Sequence, residues 1–319
     1  MNGKVWEQYM GANASLVSKD NTYGIALYQS YRNRNPYDAD GDGFSELGKL
    51  NMNTFGLRTY YRPTQFSRIS LEYHTTNEFR RGGNKFDLQP HETDITEQTK
   101  HIINSGGLTY DVFFNEYKHK LSVYASAQHT DRNSYYGADK AENAYGKTKD
   151  LTAVGGAMYV GNMDNCLFSP ATFTGGVEYQ YNSLHDVMTG YGRDLRQDVK
   201  IASGFVQNEW KLDYFTILAG FRLDKHNLVD NVIFSPRINT LWKPSDKFQG
   251  RLTWSTGFRA PQAYDEDLHV AAVGGEAMEV RLAEGLKPER SNSFSGSVDW
   301  SFNFGHFQSN LLIEVSIRR

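Results

Sequence analysis

The sequence predicts an all-β chain whose strands build an antiparallel transmembrane β-barrel. Three observations carry that expectation. Apolar and polar residues alternate with period two along nearly the whole chain. The alternating segments are joined by connections that are short and long in turn. Aromatic residues are abundant for so hydrophilic a protein: Tyr (20) and Phe (19) together outnumber Lys and Arg (34), while mean hydropathy is -0.61. Successive side chains of a strand point to opposite faces, so each segment has one apolar and one polar face. A membrane barrel reconciles the three, because it needs aromatic girdles at both interfaces while its lumen and loops stay polar.

About fourteen segments meet the pattern, and they come in pairs. Segments 4–16 and 22–33 flank Lys19-Asp20-Asn21. Segments 52–62 and 67–77 flank Pro63-Thr64-Gln65; in the second, Ile69, Leu71 and Tyr73 alternate with Ser70, Glu72 and His74. Segments 100–114 and 117–130 meet at Asn115-Glu116, with Leu121, Val123, Ala125 and Ala127 set against Ser122, Tyr124, Ser126 and Gln128. Next come 151–160 and 171–183, where Val177, Tyr179 and Tyr181 alternate with Glu178, Gln180 and Asn182. Segments 200–211 and 214–225 meet at Asp213; Phe215, Ile217, Ala219, Phe221 and Leu223 are apolar, with Thr216, Gly220, Arg222 and Asp224 among the residues between. Segments 233–243 and 248–257 flank Pro244-Ser245-Asp246. Segments 291–302 and 305–314 meet at Asn303-Phe304, with Val298, Trp300, Phe302 and Phe304 against Ser297, Asp299, Ser301 and Asn303.

Longer connections lie near 34–51, 78–99, 131–150, 184–199, 226–232 and 258–290. An up-and-down barrel puts every second connection on one side, with short turns at the periplasm and longer loops outside. A Greek-key sandwich has no reason to keep that rhythm. Glu72, Glu178, Arg222, Asp224 and Arg251 are costly in hydrocarbon, so they are expected to face the lumen.

Several function classes drop out. A net charge of -3 makes no case for nucleic acid. No uninterrupted apolar run reaches the roughly 18 residues of a membrane-crossing helix. The single cysteine, Cys166, supports neither an internal disulfide nor a CxxC metal site. The nine histidines are scattered, and no HExxH, Ser-His-Asp or Walker-type pattern appears, so no enzyme is expected. The opening Met1-Asn2-Gly3-Lys4-Val5-Trp6 has no apolar signal region, so an exported protein would start upstream.

The most specific stretch reads Phe234-Ser235-Pro236-Arg237, then Gly257-Phe258-Arg259-Ala260-Pro261, then Leu286-Lys287-Pro288-Glu289. In order and spacing it resembles the late-barrel signature of TonB-dependent receptors, and a looser resemblance covers the whole chain. Within that family the chain looks most like the cobalamin and siderophore receptors of Bacteroides-type bacteria. The resemblance implies a Gram-negative outer-membrane receptor that imports a scarce nutrient actively, cobalamin or a siderophore-iron complex. It implies part of a 22-stranded barrel in one domain, 1–319, with the plug, the TonB box and the closing strands outside it. Implied partners are outer-membrane lipid, TonB, the small nutrient ligand and a surface lipoprotein.

Two further stretches qualify that reading. Pro36-Tyr37-Asp38-Ala39-Asp40-Gly41-Asp42-Gly43-Phe44-Ser45-Glu46 sets alternate carboxylates before glycines, the way a short loop wraps a hard cation. Asp38, Asp40, Asp42 and Glu46 would hold calcium; the bland reading is a solvated acidic turn. Loop position 12 is Lys49, so this is no EF-hand. Secondly, Tyr264, Asp265, Asp267 and His269 lie in the longest connection as candidate ligand contacts. Haem receptors of the family place an axial His between a Phe-Arg-Ala-Pro box and an Asn-Pro-Asp-Leu box. The first is intact here, but the second reads Ala283-Glu284-Gly285-Leu286. Arg259 is expected instead to fix its strand end by charge-assisted hydrogen bonds. Tyr135, Tyr136, Tyr145 and Tyr191 would cap a ligand by stacking or serve as girdle residues. Where the family commonly continues Gly-Phe-Tyr-Thr-Arg, this chain has Val315-Ser316-Ile317-Arg318, as a one-base frameshift after Glu314 would produce. Other readings of the whole chain are a haem receptor, a passive porin, and a surface β-protein that binds a glycan or partner without transport.

Overall fold

A computed structural model describes residues 5–261, 283 and 285–319. Among the described residues fourteen strands run β1 Glu7–Val17, β2 Tyr23–Arg34, β3 Lys49–Tyr61, β4 Ser67–Gly83, β5 Ile95–Phe114, β6 His119–Ala138, β7 Tyr145–Cys166, β8 Ser169–Met188, β9 Arg193–Lys211, β10 Phe215–His226, β11 Ile233–Ser245, β12 Phe248–Arg259, β13 Glu289–Phe304 and β14 Phe307–Arg318. They form one antiparallel sheet in sequence order, each strand paired with its neighbours in the chain. This is the fold class the alternation predicts, and each expected segment coincides with a strand.

Two of the expected long connections are mostly strand. β6 and β7 continue to Ala138 and Tyr145, leaving 139–144, and β8 and β9 leave only 189–192. The physical reason is length. A tilted strand crosses hydrocarbon in about 9–11 residues, yet β5 to β9 have 19 to 22. The excess stands beyond the bilayer, where neither face need be apolar and the period-two signal fades, although backbone pairing continues. Likewise the last turn falls at Gly305-His306 rather than at Asn303-Phe304.

Register sorts the two faces. Leu27 opposes Leu57, which opposes Tyr73; Leu71 opposes Leu108, and Leu108 opposes Ala125. Val177 opposes Gly204, Val206 opposes Phe221, and Val298 opposes Ile313. Directly opposed residues share a face, so one apolar surface runs across the sheet, and its large side chains are exposed. A water-soluble protein would bury them. A membrane barrel presents them to lipid. Glu72, Glu178, Arg222, Asp224 and Arg251 fall on the other face, as their polarity requires. Among the described residues no helix is long and apolar enough to cross a membrane, which says nothing about strands.

Candidate functional site

On the polar face a hydrogen-bonded cluster spans β6, β8, β9 and β10. Gly156 sits opposite both Tyr124 and Glu178, Glu178 opposite Ser203, and Ser203 opposite Asp224. The Tyr124 hydroxyl donates to Glu178 Oε2 at 2.8 Å. Arg222 donates from Nη2 to Glu178 Oε1 at 2.9 Å and to Ser203 Oγ at 2.7 Å. Its Nε donates to Asp224 Oδ1 at 2.7 Å, and Ser203 Oγ donates to the same oxygen at 2.6 Å. Two carboxylates and one guanidinium leave the cluster with an excess negative charge. Beside it a concavity of about 630 Å³ is lined by Phe205, Gln207, Arg222, Arg237 and Ser255. Such a surface can hold a polar ligand or a polar protein surface by hydrogen bonds. The three charged residues are legible from their polarity; Tyr124 and Ser203 as their partners are not.

A second cluster, unforeseen from sequence because it lies in the expected loops, ties the upper ends of β6 to β9 together. Asp186 is buried, accepting from Arg193 Nε at 2.6 Å and from Arg132 Nη2 at 3.3 Å. The Thr148 hydroxyl also donates to Asp186, and Arg132 Nε donates to Thr148 at 3.0 Å. Around this end the tyrosines are structural. Tyr135 is fully buried and its hydroxyl donates to the Ala141 carbonyl at 3.0 Å, so it is neither a girdle residue nor a ligand cap. Tyr191 donates to the Tyr136 carbonyl at 2.6 Å, and Tyr145 bonds His91 Nδ1 at 2.8 Å. Burial pushes the Tyr145 hydroxyl above its ordinary pKa.

The acidic loop joins β2 to β3 on this same long-connection side. One bridge, Tyr37 to Leu47, closes its base, and Ser45 N donates to the Gly83 carbonyl at 3.0 Å. Asp38 takes backbone bonds from Gly41 at 2.6 Å and Gly43 at 2.8 Å. Phe44 N donates to Asp42 at 2.8 Å, and Ala39 N to Glu46 at 2.6 Å. Gly41 and Gly43 have φ of 81° and 91°, which a side chain would strain. These turns draw one oxygen each from Asp38, Asp40, Asp42 and Glu46 to within 4.8 Å of one another. All four are acceptors only, a donor set suited to a hard divalent cation.

The signature motifs meet across a strand pair. Arg259 at the end of β12 opposes Glu289 at the start of β13, with Arg259 Nε 3.5 Å from Glu289 Oε2. Ala260 is buried with Val229 and Ile233 against Phe258. Pro261, Leu286, Lys287 and Pro288 flank this strand pair; Leu286 is exposed. Tyr264, Asp265, Asp267 and His269 lie outside the described residues.

Comparison with known proteins agrees with this architecture. A family model described as TonB dependent receptor-like, beta-barrel matches residues 9–312. No curated protein matches the chain. Among solved structures, the siderophore receptor PirA from Pseudomonas aeruginosa superposes with a TM-score of 0.71 at 13% identity, over 93% of this chain and 50% of that one. The outer membrane transporter YddB from Escherichia coli gives 0.72 at 12% identity, over 94% and 45%. A double mutant of the Serratia marcescens hemophore receptor HasR, in complex with its hemophore HasA and heme, gives 0.70 at 14% identity, over 98% and 53%. The chain thus spans about half the length of the solved structures it matches.

Proposed function

The chain belongs to the TonB-dependent receptor β-barrel family, a family of outer-membrane receptors and transporters rather than enzymes, and from that premise we propose that it serves active uptake of a scarce nutrient. The observation that carries this reading is the two-faced meander: an unbroken apolar surface for lipid, backed by a polar face dense in carboxylate, guanidinium and hydroxyl groups. The ligand is cobalamin or a siderophore-iron complex, held on the long-connection side. The siderophore receptors among the structural neighbours support the second, and the acidic loop favours the first, since the family resemblance implies calcium-ordered Asp loops in cobalamin receptors. A haem complex is the alternative that the hemophore receptor neighbour keeps in view.

Calcium bound by Asp38, Asp40, Asp42 and Glu46 would order this loop against Ser45 and Gly83. Energy would come through TonB, and a surface lipoprotein is a further partner. The test is ligand binding by outer membranes that carry the protein. Saturable retention of cobalamin or of a ferric siderophore supports the reading. Uptake that never saturates and needs no TonB would favour a passive pore.

A further inference from the structure

We propose that His101 is a proton-operated latch for the hairpins that wall the long-connection end of the lumen. Glu78 stands six positions from Glu72 on β4, so it shares the polar face. Glu78 opposes His101, His101 opposes Arg132, Arg132 opposes Thr148, and Thr148 opposes Asp186. One row thus runs across β4 to β8 and ends in the buried Asp186 cluster. Directly opposed residues lie within about 5.5 Å of one another at Cβ, so a charge placed on His101 acts on Arg132. Through its bonds to Thr148 and Asp186, Arg132 ties β6 to β7 and β8.

The imidazole is placed for that role. Its Nδ1 is enclosed and has no hydrogen-bond partner among the described residues. Glu78 Oε1 is 3.8 Å away, too far for a hydrogen bond. Glu78 and Arg80 face the ring from β4, and Arg132 faces it from β6. Arg80 engages both Glu78 oxygens, at 2.8 Å and 3.0 Å, so this carboxylate is already matched. An imidazolium would therefore meet a satisfied ion pair on one side and the Arg132 guanidinium on the other. The row stands beyond the bilayer, level with the Asp186 cluster. Burial foremost, and then Arg132, hold the His101 pKa below its ordinary 6.5; Glu78 opposes them and Arg80 adds to them. When the hairpins open, the ring regains water and its ordinary value, so the open form binds more protons. The latch is thus full above 6.5 and is lost as pH falls from there through the lowered value. A proton on His101 repels Arg132 and loosens the Asp186 cluster, a local charge change that frees whole hairpins.

The uptake reading supplies only what the latch governs, the mouth of the lumen; the latch itself is read in the purified full chain. Backbone hydrogen exchange, corrected for the pH dependence of the intrinsic rate, is followed in mild detergent from about pH 7.5 to about pH 5. Exchange in 131–150 and 183–199 should rise at least about threefold over that span, while 171–182, within the membrane band, stays protected. His101→Gln takes up no proton and should hold both hairpins locked at the acid end. His101→Lys stays charged throughout the range and should leave them open at the neutral end. Heat-modifiable migration of each variant confirms that it remains folded. A His101→Gln variant that keeps the full pH response would overturn the proposal, because every carboxylate and every other histidine is still in place. A flat response in the native chain, or a rise shared equally by 171–182, would overturn it as well. A pH response as described in a chain that retains no nutrient would support the latch and overturn the uptake reading alone.

Discussion

Replacing Asp186 by alanine should loosen the upper hairpins and leave the membrane band intact. Asp186 and Arg193 have side chains 1% and 3% exposed, and Arg132 is 14% exposed. Removing the carboxylate takes one shared anion away from Arg132 and Arg193 in a site that water barely enters. Breaking one partner of a buried pair costs about 3–5 kcal/mol. At about 1.4 kcal/mol per factor of ten, the opening equilibrium rises between about a hundredfold and a few thousandfold. Because the cluster stands beyond the bilayer, opening should be local, confined to 131–150 and 183–199. Backbone hydrogen exchange read by mass spectrometry on the detergent-solubilised chain follows both segments separately. Protection should collapse there and persist in 171–182, within the band. Unchanged protection in the hairpins, or an equal loss across the whole sheet, would refute the argument that this cluster holds extramembrane extensions.

Other expectations follow from the same geometry. Glu178→Gln keeps the shape at the lumen cluster but removes the charge facing Arg222, and should cost about 1–3 kcal/mol in denaturant titrations. Reversing the pair with Arg259→Glu and Glu289→Arg should change stability by less than about 1 kcal/mol, since both side chains are more than half exposed; a larger loss would mean the motif acts through more than this contact. If calcium fills the acidic loop, free calcium at about a hundred times its Kd should stabilise that loop by about 2.7 kcal/mol, and Asp38→Asn should abolish the calcium-dependent rise in Tm. Asp94, hydrogen-bonded by Lys85 at 2.9 Å and by Asn84 at 2.8 Å, is held below its ordinary value of 3.8, chiefly by the Lys85 bond. Its contribution to anchoring 84–94 is therefore full above 3.8 and is lost as pH falls through its lowered value. Protease nicking of 84–94 should stay flat from pH 7 to about pH 4 and rise only below that.

The strands were legible because lipid imposes the rule that makes them so. Within the band every second residue must be apolar, hence Leu121-Val123-Ala125 and Val177-Tyr179-Tyr181 announce themselves. Beyond it, Asp131-Arg132-Asn133-Ser134 reads as loop, although its backbone pairs in register with 99–102 and 146–149. The carboxylate spacing of 38–46 was readable because turn glycines and acidic residues are local in sequence. The pairing of Arg259 with Glu289 was not, since the two stand thirty positions apart and only the β12–β13 register joins them. The same holds for Arg132, Asp186 and Arg193. Long-range register, rather than residue chemistry, is what one sequence fails to display.

The most direct test of the account is to ask which face meets lipid. Single cysteines are placed in a Cys166→Ser background at Leu108, Val177, Phe221 and Leu252 on one face, and at Glu72, Glu178 and Arg251 on the other. Each is labelled with an environment-sensitive fluorophore after insertion into vesicles. A lipid-borne quencher should quench the first set, and aqueous iodide the second. Quenching by iodide at Leu108 and Val177, with no effect of the lipid quencher, would contradict it, because the apolar face would then lie in water.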